Sequence, residues 1–181
     1  MPPPDAFAAC ACEAFEAVSR GDFVLGLLWL GPGAGPRPLV LITPPIGSGK
    51  DATEITALGR ALSQHGLAAA AIDLPLQGER ASTKLSDRLT RCATQSERAA
   101  SDRLLWDEFL RQGALDLAAA AAALARRPEI QLERLACVAF EPGAEASAGW
   151  ASRDPRVRAC LVVSPGADPD PIASLLREQL A

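Results

Sequence analysis

Few side chains in this sequence have the chemistry of a catalyst. There is one histidine, His65, in the run Ser-Gln-His-Gly. A histidine just before a glycine, at the end of a helical stretch, reads as a helix C-terminus, where a cation or polar group is favoured. The five cysteines are Cys10, Cys12, Cys92, Cys137 and Cys160. Their odd number argues against a complete disulfide framework. Cys10 and Cys12 have the wrong spacing and no histidine partner for zinc. Cys137 and Cys160 lie in apolar, strand-like runs, where free cysteine behaves as a small hydrophobe. No metal and no cofactor is therefore expected. The stretch Pro44-Pro-Ile-Gly-Ser-Gly-Lys50-Asp51 follows an apolar run and partly matches the phosphate-binding pattern G-x-x-x-x-G-K-[ST], with Asp73 closing a later apolar run. Pro44 replaces its first glycine. Asp51 replaces the magnesium-binding hydroxyl and sets a negative charge beside the phosphates. A nucleotide-binding module using the Gly47 to Lys50 loop stays open as an alternative.

The elements that would position these residues alternate. Ala14 to Ser19 and Phe23 to Leu30 read as two strands joined at Gly21 and Asp22. Leu39 to Thr43 and Leu67 to Leu74 are continuous apolar runs, as buried parallel strands are. A helix between them, capped by Asp51 or Thr53, ends at Gly66. Gln77 to Ser101 is polar and reads as a surface excursion, its arginines interleaved with carboxylates. Asp102 to Arg126 is helical, with Leu104, Leu105, Phe109, Leu115 and Leu117 as apolar surface. Leu135 to Phe140 and Val157 to Ser164 are strands; Ala144 to Ala151 and Pro171 to Leu180 are helices. This order predicts an α/β fold: a mostly parallel twisted sheet, helices on both faces and an antiparallel start. Residues 1–13 read as a tail and 14–181 as a single domain. Trp29, Trp106 and Trp150 fall in apolar elements and read as core.

Composition narrows the function classes. With 49% hydrophobic and 22% charged residues the chain reads as globular and soluble. A net charge of −4 without a basic patch argues against nucleic acid and anionic membranes as partners. No apolar run of spanning length and no basic leader before an apolar run is present, which, with the cysteine usage, favours the cytoplasm.

Four segments, in order, resemble the α/β-hydrolase family, its dienelactone-hydrolase and acetyl-esterase-like branch in particular. They are the hairpin Ser19 to Leu30; "PLVLITPPIGSGK" (Pro38 to Lys50), similar to "LVLLHGxGGSK"; "AIDLPLQGER" (Ala71 to Arg80), similar to "DLPGHGER"; and "ERLACVAFEPG" (Glu133 to Gly143), similar to "ERIxxxGxSxGG" and followed by "RDPRVRA" (Arg153 to Ala159). The resemblance covers about Phe15 to Pro165 and implies a hydrolase-like sheet lacking its last strands.

It also implies where catalytic groups should stand. The nucleophile elbow G-x-S-x-G maps onto Ala139-Phe140-Glu141-Pro142-Gly143, with Glu141 at the serine. Pro142 takes the position whose backbone N–H serves the oxyanion, and proline has none. Losing one such donor costs about 3–4 kcal/mol of transition-state stabilisation. The other donor maps onto Ile46, after Pro44-Pro45 in place of His-Gly. Pro44, Pro45, Phe140 and Gly143 are the candidate ligand pocket. Asp168 and Asp170 fall where a minority of the family places its acid, though "ADPDP" also reads as a turn and helix start. Glu141 is expected to be buried and protonated or paired with an arginine such as Arg80. The expectation is a pseudoenzyme with a binding or assembly role, its open apolar edge near Val157 to Ser164 paired with a second copy or a partner protein. The alternative is an esterase-like hydrolase with displaced or partner-supplied catalytic groups.

Overall fold

A computed structural model of the chain describes residues 11–33, 35–95, 97–141 and 144–181. A six-stranded sheet is built from β1 (Ala11–Ser19), β2 (Asp22–Leu30), β3 (Arg37–Thr43), β4 (Ala68–Ile72), β5 (Ile130–Phe140) and β6 (Val157–Val163). Their order across the sheet is β1-β2-β4-β3-β5-β6. β2 is antiparallel to β1 and to β4; every other pairing is parallel. The expected antiparallel start and parallel body are both present.

Five helices cover the two faces: α1 (Thr53–Gln64), α2 (Thr83–Thr94), α3 (Ala100–Leu124), α4 (Ala144–Ala151) and α5 (Pro169–Gln179). Side chains alternate along each strand, so β3 sends Val40 and Ile42 to one face and Leu39 and Leu41 to the other. Ile55, Leu58 and Leu62 of α1 and Ala173 and Leu176 of α5 seal the first face. Leu89 of α2, Phe109 and Leu117 of α3 and Trp150 of α4 seal the second. β4 supplies four alanines, Ala68 to Ala71, and then Ile72. Trp29, register partner of Ala69 and fully buried, fills the space this leaves. Its ring lies against Gly59 of α1, where a Cβ would sit 2.5 Å from the indole. All three tryptophans are buried.

Several boundaries and one whole element differ from expectation. β1 starts at Ala11, and β5 starts at Ile130, before a register shift at its inner end. α1 has no side-chain cap: Ala52 is its N-cap, and Thr56 Oγ1 instead donates to the Asp51 carbonyl. Gly66, with φ +81°, ends it as expected. The polar excursion contains α2, whose Leu89 and Cys92 are buried. In α3, Leu104 and Leu115 face solvent and only Phe109 and Leu117 of the expected set are fully in the core. Cys137 is buried, but Cys160 is exposed because β6 is an edge strand with only one face covered. No helix among the described residues is long and apolar enough to cross a membrane.

Candidate functional site

β3, β4, β5 and β6 run in parallel, and open α/β sheets offer their ligand crevice at the C-terminal ends of such strands. Four segments meet there: the loop 44–50 after β3, the turn 73–80 after β4, Glu141 after β5 and the segment 164–168 after β6. Glu141 sits between β5 and α4, and its N–H donates to the Val163 carbonyl at 3.0 Å. Pro142 and Gly143 lie outside the described residues. The Glu141 side chain is exposed. It lines a groove of about 730 Å³ with Ala93 and Thr94 of α2, Ala144, Glu145 and Ala148 of α4, and Val162 of β6. The groove thus has small apolar walls and two carboxylates.

The other expected site residues are placed differently. Pro44, Pro45 and Ile46 are buried, as is Phe140, which packs into the core beneath α1 and α5. The Ile46 N–H has no acceptor among the described residues. Arg80 does not pair with Glu141. Its Nη1 donates to Asp116 Oδ2 (2.7 Å) and to the Asp73 carbonyl (2.9 Å), and its Nη2 to Asp22 Oδ2 (2.8 Å). Burial alone would lower the Arg80 pKa, but its hydrogen bonds to Asp22 and Asp116 leave it raised. His65 is the C-cap residue of α1, its N–H donating to the Ala61 and Leu62 carbonyls. It precedes β4, whose Ala68 is level with Leu39 and so with Leu135 of β5. At about 3.3 Å per residue, Leu135 lies about 20 Å before Glu141. The histidine and Glu141 are at opposite ends of the sheet. Asp168 is the N-cap of α5 and accepts from the Asp170 N–H at 3.2 Å, which is the turn-and-helix-start role.

The loop that resembles a phosphate cradle wraps a carboxylate of its own chain. Asp73, fully buried, accepts the Lys50 N–H on Oδ1 (2.8 Å) and Lys50 Nζ (2.8 Å) and the Glu79 N–H (3.1 Å) on Oδ2. Lys50 Nζ also donates to Glu79. Burial would lower the lysine pKa; the hydrogen bonds to Asp73 and Glu79 outweigh it and hold the ammonium above its usual range. Gly78 is required beside this carboxylate: its φ is +52°, and a Cβ there would meet Asp73 Oδ1 at 2.1 Å. Gly47, φ +92°, donates its N–H to Gln77 Oε1. The cation that nucleotide binding needs is thus committed within the protein. The loop's lysine and one of its backbone N–H groups are turned to Asp73 of the same chain, an arrangement that does not favour the phosphate-loop reading.

A buried hydroxyl contact, Thr43 Oγ1 to Ser147 Oγ at 2.8 Å, ties the end of β3 to α4. Ser147, Gln77 and Asp116 were not singled out in the sequence. Asp116 carries the one usable signal, a lone carboxylate in the alanine- and leucine-rich half of α3, which calls for a buried partner. Among the described residues no group of three or more His, Cys, Asp or Glu could hold a metal ion.

The architecture matches solved structures of known fold. A cold-adapted esterase from an Arctic intertidal metagenomic library aligns with TM-score 0.65 and 20% identity, over 85% of this chain and 60% of that one. A dienelactone hydrolase, described as putative, from Klebsiella pneumoniae aligns with TM-score 0.62 and 22% identity, over 84% and 58%. A dienelactone hydrolase-like promiscuous phosphotriesterase from metagenomic libraries aligns with TM-score 0.62 and 21% identity, over 90% and 64%. No family model and no curated protein matches the sequence. The chain has the α/β-hydrolase fold in its dienelactone-hydrolase-like form, and it spans about 60% of the length of the esterase it aligns with.

Proposed function

We propose that this chain is a non-catalytic member of the hydrolase fold that uses the groove above Glu141 for binding. The observation that carries the reading is the separation of its only histidine from that groove. His65 caps α1 at the N-terminal end of the sheet, while Glu141 stands at the C-terminal end. General-base catalysis needs the base within about 3 Å of the proton it takes, or one water away. The groove lining offers carboxylates and small apolar walls instead. A glutamate without an activated water partner is a poor turnover device, but it is a good counter-charge for an apolar ligand with a cationic end. Pro142, having no N–H, supplies no oxyanion donor.

The test is hydrolysis of short-chain nitrophenyl esters by the wild type and by Glu141→Ala. Equal, background-level rates support the reading. Turnover that needs Glu141 favours the other one, an esterase-like hydrolase with displaced or partner-supplied groups. The fold shared with esterases and dienelactone hydrolases keeps that alternative in view.

Assembly is the second part of the proposal. β6 is an edge strand, and its outward N–H and C=O groups have no strand partner among the described residues. An unpaired apolar edge is a template for another strand, and a second copy of this chain is the proposed occupant.

A further inference from the structure

The outer part of the sheet carries two thiols that the groove does not use. Cys137 of β5 and Cys160 of β6 are register partners on neighbouring parallel strands, so their side chains stand on the same face. Neighbouring strands are about 4.8 Å apart, within the Cα separation of about 4.4–6.8 Å that a disulfide spans. Their surroundings differ: Cys137 is fully buried, while Cys160 is exposed, with Arg158 and Val162 exposed on either side of it along the same face. The contact between the thiols acts on them in opposite directions. The hydrogen bond to Cys160, and then burial, push the Cys137 thiol well up. The same hydrogen bond outweighs burial at Cys160 and brings its thiol down to about 7. Of the two, Cys160 is the thiol nearer its thiolate form at neutral pH, and the thiolate is the nucleophilic form of cysteine.

We propose that Cys160 and Cys137 form a modification site for hydroperoxides, in which Cys160 is oxidised first and Cys137 closes a reversible cross-strand disulfide. In the first step the Cys160 thiolate attacks one peroxide oxygen. An S–O bond forms, the O–O bond breaks, and the departing alkoxide or hydroxide takes a proton and leaves as alcohol or water. The sulfur loses two electrons and becomes a sulfenic acid. In the second step the Cys137 sulfur attacks the sulfenic sulfur. An S–S bond forms, the S–O bond breaks, and the Cys137 proton leaves with the hydroxyl as water. In sum, one hydroperoxide and two thiols give one disulfide, one alcohol (or water) and one water. The burial of Cys137 sets the order, because solvent reaches Cys160 alone. The Cys160 side chain stands on the sheet face, so a strand added at the β6 edge leaves it accessible.

Peptide mapping of the full reduced chain tests this, with exposed Cys12 and buried Cys92 as references within the same molecule. At neutral pH, Cys160 is expected to alkylate about threefold faster than a free cysteine peptide with the usual thiol pKa of about 8.5, the gain in thiolate fraction being partly offset by lower intrinsic nucleophilicity. Stoichiometric hydrogen peroxide should yield a Cys137–Cys160 disulfide that dithiothreitol reverses. In Cys137→Ala, checked for its fold by circular dichroism, Cys160 should stop at a sulfenic acid that dimedone traps; Cys160→Ser should remove both products. If Cys137→Ala does not fold, the wild-type map decides alone. Oxidation of Cys160 no faster than that of the free cysteine peptide, or its passage to sulfinic acid while Cys137 stays reduced, overturns the proposal.

Discussion

Asp73 does for the loop 44–50 what a phosphate does for a nucleotide-binding loop: it gathers a backbone N–H and a lysine ammonium around one anion. That is why Gly-Ser-Gly-Lys resembles a phosphate cradle, and why a true ligand is not needed to order it. A buried pair of this kind is strongly destabilised when one partner goes, because the other is left uncompensated. Lys50→Ala and Asp73→Ala are each expected to lower stability by about 3–5 kcal/mol in chemical denaturation. The raised lysine pKa fixes the pH dependence. The native state holds the proton to higher pH than the unfolded chain, whose lysine titrates near about 10.4. The contribution is therefore fully present below that value and is lost as pH rises through the higher native value. The stability difference between the wild type and Lys50→Gln should be constant from neutral pH to about 10 and shrink above it. A difference that grows with alkaline pH would remove Lys50 from the network.

At the scale of elements, close approach matters more than polar contacts. The alanine-only face of β4 works because Trp29 fills the gap and Gly59 lets α1 come down onto it. Gly59→Ala favours the helix by about 1 kcal/mol in propensity. It also drives a methyl into the indole, and overpacking of this kind costs about 1–3 kcal/mol. Net destabilisation is therefore expected on thermal melting, and stabilisation would show that α1 can move away from the sheet. The same elements show what was legible in the sequence. β3, β4, β5 and β6 announced themselves as apolar runs, and α4 was expected at its observed bounds, Ala144 to Ala151. α2 was missed because only Leu89 and Cys92 of its twelve residues are fully buried, too few to mark a helical period through the arginines. The site was half legible. The position of Glu141 between a strand and a helix followed from sequence. The burial of Phe140, Pro44 and Pro45, and the partners of Arg80 and Lys50, depend on contacts between segments far apart in the chain, which spacing alone does not carry.

For the molecule as a whole, the described residues present a groove, an edge strand and a thiol pair within one α/β-hydrolase fold. If β6 pairs with a second copy, light scattering should give a dimer at high concentration, and Val162→Pro, which removes an N–H that faces away from β5 and restricts the backbone, should shift the mass toward the monomer. A wild type that stays monomeric at every concentration leaves the edge without this role. The central claim concerns chemistry, and it is tested most directly by following nitrophenyl acetate with the wild type, Glu141→Ala and Glu141→Ser, reading steady-state nitrophenol release and covalent acyl adducts by intact mass together. The account predicts rates at the uncatalysed background for all three and no adduct at position 141. Wild-type turnover above background that disappears in Glu141→Ala, or an acyl adduct on Glu141, would contradict it.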